Sequence, residues 1–223
     1  MRQRLGDEAR TGVLNTARAR SRGGMAPANG FTLVELMVTI TLLAILLMLA
    51  APSMLDWVRN SKIRAVAEAL QSGLREAQSE SLRRSRQVVF ALTDDKPTAA
   101  SANFAAKDNG NNWTLRTLPS MASDESSVFV SAGILTDVGS GVTIEGPAAV
   151  CFNSVGRLTA NTTTNLTNVT GGETCSADAA TYDIKLPNAD RPLRVLVTLG
   201  GQVRMCDPNK TMSDSNPDGC PAT

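Results

Sequence analysis

The side chains in this sequence best placed to do chemistry are one carboxylate in oily surroundings, four thiols and scattered guanidinium groups. Glu35 closes the run Gly30-Phe31-Thr32-Leu33-Val34-Glu35 and is followed directly by apolar residues. A charged side chain at the centre of a membrane span costs about 2.5 to 3.5 kcal/mol, and less toward its end, so Glu35 calls for a cationic partner. Cutting the chain after Gly30 would create a free α-amine on Phe31, about one helical turn from Glu35. That amine could pair with the glutamate of the same or a neighbouring chain, and the positive end of a helix dipole acts in the same direction. The sequence has no histidine. This excludes Ser-His-Asp and Cys-His nucleophile systems, His-containing zinc or iron sites, and a histidine switch near neutral pH. There is no glycine-rich phosphate loop or nucleophile elbow, and Asp94-Asp95 and Asp124-Glu125 read as surface turns. The chain is expected to be non-enzymatic and to need no cofactor or metal.

All four cysteines, Cys151, Cys175, Cys206 and Cys220, fall late in the sequence. In an oxidising compartment they are expected to form two disulfides. Of the three possible connectivities, Cys151 with Cys175 and Cys206 with Cys220 is favoured, because each pair encloses a local loop rich in Thr, Asn, Asp, Gly or Pro; the pairing stays open. Each link would contribute about 3 kcal/mol by constraining the unfolded chain. A four-thiolate zinc site is the rival, but the spacings lack the close pairs of a zinc ribbon.

The elements that would position these groups follow from charge and periodicity. Residues 1–30 carry six arginines against Asp7 and Glu8 and read as a basic leader. The rest of the chain holds 16 basic and 19 acidic residues, a net charge of −3, so bulk charge carries no strong nucleic-acid footprint. Residues 36–55 bear no formal charge, and as a helix they would reach roughly 30 Å, the thickness of a bilayer's hydrocarbon core. Arginines before this span and few basic residues just after it place the N-terminus in the cytoplasm and the remainder outside. Beyond Trp57, Ile63, Val66, Ala67, Leu70, Leu74 and Ala77 follow the three-and-four spacing of one helix face. The two halves can form one rod over residues 31–86, roughly 84 Å long, with a kink at Pro52 where its ring meets the preceding turn.

The remainder reads as short β-branched runs at 88–93, 113–118, 128–131, 142–145, 150–153, 182–186, 193–199 and 202–205, separated by Gly, Pro, Asn or Asp. An antiparallel sheet packed on the apolar helix stripe gives an α+β head. Asn112, Asn161, Asn165 and Asn168 head N-x-[ST] triplets, which read here as polar loop markers.

Residues 30–55, from Gly-Phe-Thr-Leu-x-Glu through Ala51-Pro52-Ser53, closely resemble the N-terminus of type IV pilins and type II secretion pseudopilins. The resemblance implies that a prepilin peptidase on the cytoplasmic side cleaves after Gly30 and N-methylates Phe31, and that Glu35 is the assembly glutamate. Leaders of this type are usually shorter, and Met25 would leave a six-residue leader without the usual basic residue; Met1 and Met25 both stay open as starts. Residues 62–92, with Asn112-Trp113, Val150-Cys151-Phe152-Asn153, Gly156-Arg157-Leu158 and residues 193–207, resemble the minor pseudopilin group of the GspH and FimT type. The implied organisation is a leader (1–30), a transmembrane and filament-core helix (31–55), an amphipathic helix (56–86) and a periplasmic, disulfide-bonded head (87–223).

The expected role is that of a minor type IV pilin, held in the inner membrane until it primes or caps a filament. Its partners would be other pilins or pseudopilins, the prepilin peptidase, the inner-membrane assembly platform and membrane lipid. One alternative is a minor pseudopilin of type II secretion; another is a pilus-tip subunit for DNA uptake. FimT-type proteins involved in DNA uptake carry Gly-Arg-x-Arg where this chain has Gly201-Gln202-Val203-Arg204. Only Arg204 matches, with Arg194 and Lys210 as further possible DNA contacts along with Arg191, while Asp207, Asp214 and Asp218 oppose them.

Overall fold

The structure, a computed structural model, describes residues 30–97, 105–119, 127–162 and 174–221. The leader arginines, Met25, Asp124-Glu125 and the triplets headed by Asn165 and Asn168 lie outside these residues. The chain divides into two units, residues 1–46 and 47–223, and one helix, α1 (Leu33–Arg84), contributes to both.

In the first unit Thr32 sets the start of α1. Its Oγ1 accepts the Glu35 N–H at 3.2 Å, satisfying one orphan donor of the first turn, and its carbonyl accepts the Leu36 N–H at 3.1 Å as the first bond of the helix. Thr39 and Thr41 turn their hydroxyls back onto the Leu36 and Met37 carbonyls, at 2.9 and 2.7 Å. The threonine hydroxyls of the segment are thus satisfied within the helix, as suits an element surrounded by hydrocarbon. The window Leu33–Ala50 has a mean hydropathy of 2.6 with none of it buried, and is long and apolar enough to cross a membrane.

The second unit is built on the amphipathic part of the same helix. Ile63, Val66, Ala67, Leu70, Leu74 and Ala77 are all buried in one core cluster. The antiparallel head comprises two sheets. In the first, β1 (Val88–Thr93) lies between β2 (Asn112–Thr117) and β5 (Ala149–Phe152), with β3 (Val128–Gly133) on the outer side of β2. In the second, the order is β4 (Thr143–Glu145), β6 (Ala180–Lys185), β7 (Leu193–Val197), β8 (Val203–Thr211) and β9 (Gly219–Cys220). All pairings are antiparallel except β8 with β9, which is parallel. A short helix, α2 (Leu135–Val138), connects β3 to β4.

Strand β1 is buried on both faces, which explains its unbroken apolar run. Val88, Phe90 and Leu92 join the helix core, whereas Val89 and Ala91 join a second cluster with Ala106, Leu118, Cys151 and Cys175. From the second sheet, Tyr182, Ile184, Val195, Val197 and Val203 reach the same helix stripe. Phe90 links the layers, stacked on Trp113 at 5.7 Å and edge-on to Tyr182 at 6.1 Å. Tyr182, the chain's one tyrosine, is fully buried. Burial pushes its phenol well above the ordinary value, reinforced by the Asp108 carboxylate, so it stays protonated at neutral pH.

Helix α1 ends in a Schellman turn. Ser85 takes the left-handed conformation (φ 51°), its N–H bonds the Leu82 carbonyl at 3.2 Å, and the Arg86 N–H bonds the Ser81 carbonyl at 3.2 Å. Just before it, Glu80 accepts hydrogen bonds from Arg83 (2.8 and 2.6 Å) and Arg84 (2.7 Å). The β7–β8 turn packs onto the helix through Gly201 at φ +84°, where an added Cβ would stand 1.9 Å from the Gly156 carbonyl oxygen. Gln78 Nε2 donates to that same oxygen at 3.0 Å.

Gly73 interrupts a good helix former for a visible reason: a Cβ there would lie 2.7 Å from the Trp113 ring, and one on Gly133, across the ring, 2.4 Å. Gly73→Ala gains about 1 kcal/mol of helix propensity, but the buried ring is wedged against both glycines. The expected result is a net loss of about 1 to 2 kcal/mol, the overpacking penalty, measured by denaturant unfolding of the full chain in detergent; a more stable variant would refute the wedge. A second expectation concerns pH. Hydrogen bonds from Arg83 and then Arg84 lower the Glu80 carboxyl from its ordinary 4.5 to about 2. Because the folded value is depressed, this stabilisation is complete above pH 4.5 and is lost as the pH falls to about 2. The stability gap between wild type and Glu80→Gln should therefore close across that window, as read by urea titrations at stepped pH.

Candidate assembly site

The site begins outside the helix. Gly30 and Phe31 precede the first helical residue, Phe31 is 85% exposed, and nothing lies within 4 Å of where a Cβ on Gly30 would stand. The peptide bond between them is therefore not locked in a helical turn. Glu35 occupies the third helical position, set by the Thr32 cap. Thr32-Leu33-Val34-Glu35 is a capping-box sequence, yet among the described residues the Glu35 carboxylate makes no hydrogen bond or ion pair. Around and after it, the apolar side chains from Leu33 to Leu49 stand at least half exposed. Pro52 lies within α1, with helical residues on both sides. What the arrangement offers is a self-satisfied apolar cylinder carrying one carboxylate without a counter-ion at its front.

Two disulfides fasten the head. Cys151–Cys175 closes the second core cluster, and Cys206–Cys220 ties β8 to β9. Among the described residues no group of three or more His, Cys, Asp or Glu side chains could hold a metal ion.

Of the cations singled out for DNA contact, Arg194, Arg204 and Lys210 are engaged within the head, whereas the Arg191 side chain makes no hydrogen bond or ion pair among the described residues. Arg194 on β7 grips Asp183 on β6 with two parallel bonds, at 2.5 and 2.9 Å, with both side chains mostly shielded. This pairing raises the Arg194 guanidinium above its ordinary range. Arg204 donates to the Pro217 carbonyl at 3.0 Å and touches Met212 Sδ at 3.0 Å. Lys210 lies between Asp218 (2.6 Å) and Asp207 (3.6 Å). The register places Arg194 opposite Cys206 and Leu196 opposite Arg204, so both arginines share one face of the second sheet.

Sequence reasoning missed an open groove of about 770 Å³ in the second unit, between α1 near Trp57 and Arg64, the turn at Asp190-Arg191, and β8 with the C-terminal turn at Asp218. Its signal in the sequence was the pair Trp57 and Arg191, but only the fold brings them to one place.

Comparison with known proteins follows the same division of the chain. Residues 25–51 match the profile of the prokaryotic N-terminal methylation motif, and residues 66–201 match that of the type II transport protein GspH. No curated protein matches the chain. Similar solved structures include the type IV minor pilin FimU of Pseudomonas aeruginosa in two crystal forms. One is 16% identical, with a TM-score of 0.42, covering 66% of this chain and 98% of that one. The other is 15% identical, with a TM-score of 0.44, covering 69% and 98%. A third is the minor pseudopilin EpsH from the type 2 secretion system of Vibrio cholerae, 12% identical, with a TM-score of 0.43, covering 67% and 99%. Because the second profile spans more than half of the residues, the chain belongs to the family of the type II transport protein GspH, whose members are pilin and pseudopilin subunits that interact with others of their kind.

Proposed function

We propose that this chain is a minor type IV pilin that waits in the inner membrane, head outside, and primes or caps a filament built from like helices. The observation that carries this reading is Glu35, a carboxylate with no partner among the described residues, at the front of an exposed apolar helix. In lipid, such a group is costly, and the helices of other subunits offer no hydrophobic gain over acyl chains, so packing and polar pairing must drive assembly. Cleavage after Gly30 by a prepilin peptidase supplies the missing cation as the Phe31 amine, here or on a neighbour. Methylation of that amine leaves its charge in place. The agreement of residues 25–51 with the methylation motif supports the step.

The match of residues 66–201 to a type II transport protein favours a second reading, the minor pseudopilin of a secretion system. The two separate on phenotype: deletion removes surface pili in the first case and blocks release of secreted proteins in the second. A DNA-uptake role finds less support, since Arg194, Arg204 and Lys210 are already held by Asp183, Pro217 and Asp218.

Mass spectrometry of the protein recovered from membranes should find a mature N-terminus at methylated Phe31. Recovery of a functional chain that retains residues 1–30 would overturn the cleavage step. Glu35→Ala should insert and be cleaved normally but disappear from sheared filaments, with incorporation reduced by at least tenfold, about the effect of losing one buried charge pair. Incorporation at the wild-type level would show that the carboxylate does not drive assembly.

A further inference from the structure

The groove in the second unit lies where the outer face of a bilayer would meet the head. Exposed apolar side chains on α1 continue to Met54 and Leu55, and the groove opens at Trp57, which is 68% exposed. At about 1.5 Å of rise per residue, Trp57 stands roughly 3 Å and Asn60 roughly 8 Å beyond Leu55. A bilayer's polar layer is about 5 to 8 Å deep on each side of its hydrocarbon core. Tryptophan is the residue enriched at that boundary, apolar ring inward and N–H outward.

The charges lining the groove are balanced, with three cations and three carboxylates. Most are already compensated: Arg64 is paired with Glu68 at 2.8 Å and Lys210 with Asp218 at 2.6 Å. Asp190 and Arg191 differ. Both are exposed, and neither side chain makes a hydrogen bond or ion pair among the described residues. Their backbone is held against α1, because the Arg191 N–H donates to Asn60 Oδ1 at 3.2 Å. An uncompensated acid next to an uncompensated guanidinium, on backbone held to α1 and beside an interfacial tryptophan, complements a ligand with one phosphate and one ammonium. A purely anionic ligand would meet as many carboxylates as cations.

We propose that this groove seats the headgroup of a zwitterionic bilayer phospholipid with a primary ammonium. Arg191 binds its phosphate, Asp190 binds its ammonium, and Trp57 packs at the level of the glycerol. Guanidinium on phosphate forms a two-pronged contact, while a trimethylated ammonium would offer Asp190 no N–H. The inference rests on the reading of residues 31–55 as a membrane anchor, and its test keeps the two apart.

The full chain is reconstituted in nanodiscs of phosphatidylethanolamine with phosphatidylglycerol, or of phosphatidylcholine, and the lipid retained on release is counted by native mass spectrometry. Flotation with vesicles of the same compositions reads the anchor alone. The wild type should float on both and keep phosphatidylethanolamine selectively. Arg191→Gln and Asp190→Asn should float equally well but keep about tenfold less, the loss of one charge-assisted contact, and Arg191→Lys should recover part of it. Failure to float would overturn the anchor and the groove site together. Flotation with equal retention in all variants, or with no selectivity over phosphatidylcholine, would leave the anchor standing and overturn the headgroup site; a protein occupant of the groove would produce that pattern.

Discussion

Everything in this chain depends on the need to cover the apolar surface of α1. The helix changes character along its length. Near its start it is apolar all round, with Leu33, Met48 and Leu49 more than 70% exposed, and later it carries a single stripe whose members are completely buried. A soluble monomer rarely leaves more than a few hundred Å² of contiguous apolar surface in water. The stripe meets that constraint within the chain, since both sheets pack onto it. The all-round segment is left uncovered among the described residues, and lipid or other helices are the surfaces suited to cover it. The same element therefore gives the head its core and gives the subunit its reason to associate.

Two glutamates on α1 show how position decides the fate of a carboxylate. Glu80 has arginines three and four residues later, on its own side of the helix, and they hold it ionised well into acid. Glu35 has Val38 and Thr39 at those positions, and Thr39 spends its hydroxyl on the Leu36 carbonyl. The helix N-terminus favours a negative charge there by a fraction of a kcal/mol up to about 1 kcal/mol, less than a charge in apolar surroundings requires. A counter-ion has to come from outside the helix. That deficit is what makes cleavage at Gly30 and assembly parts of one proposed mechanism.

Much of this was legible in the sequence because it is periodic. The helix stripe, the uncharged span and most strands follow from three-and-four spacing or β-branched runs, and α1 ends at Arg84, near the expected position. What was not legible depends on contacts between distant residues. Ser85 ends the helix in a conformation usually given to glycine, so no stop signal stood there. Gly73 falls inside the helix pattern with no local reason for a glycine, and only the fold places Trp113, forty residues later, against it. The division of the head into two sheets and the parallel β8–β9 pair follow from the way the chain crosses the helix and closes with Cys206–Cys220. No local pattern encodes either. The groove is of the same kind, assembled from α1, a β6–β7 turn, β8 and the C-terminal turn.

The engagement of the head's cations bears on what such a head can recognise. Arg194 is partly shielded and doubly bonded to Asp183. Transferring it to a phosphate would leave a carboxylate without its partner, and breaking a shielded pair in this way is more costly than forming a surface contact is favourable. Arg204 is committed to a carbonyl that terminates a turn, and Lys210 already serves two acids. With a net charge of −3 beyond Gly30, that part of the chain also lacks the bulk positive charge behind the counterion-release term that supplies most non-specific affinity for nucleic acid. Selectivity in this head must therefore come from shape, from apolar area and from the few ionic groups left unmatched. Among the residues of the groove those are Asp190 and Arg191, one of each sign, which favours a partner that is itself locally neutral over any polyanion.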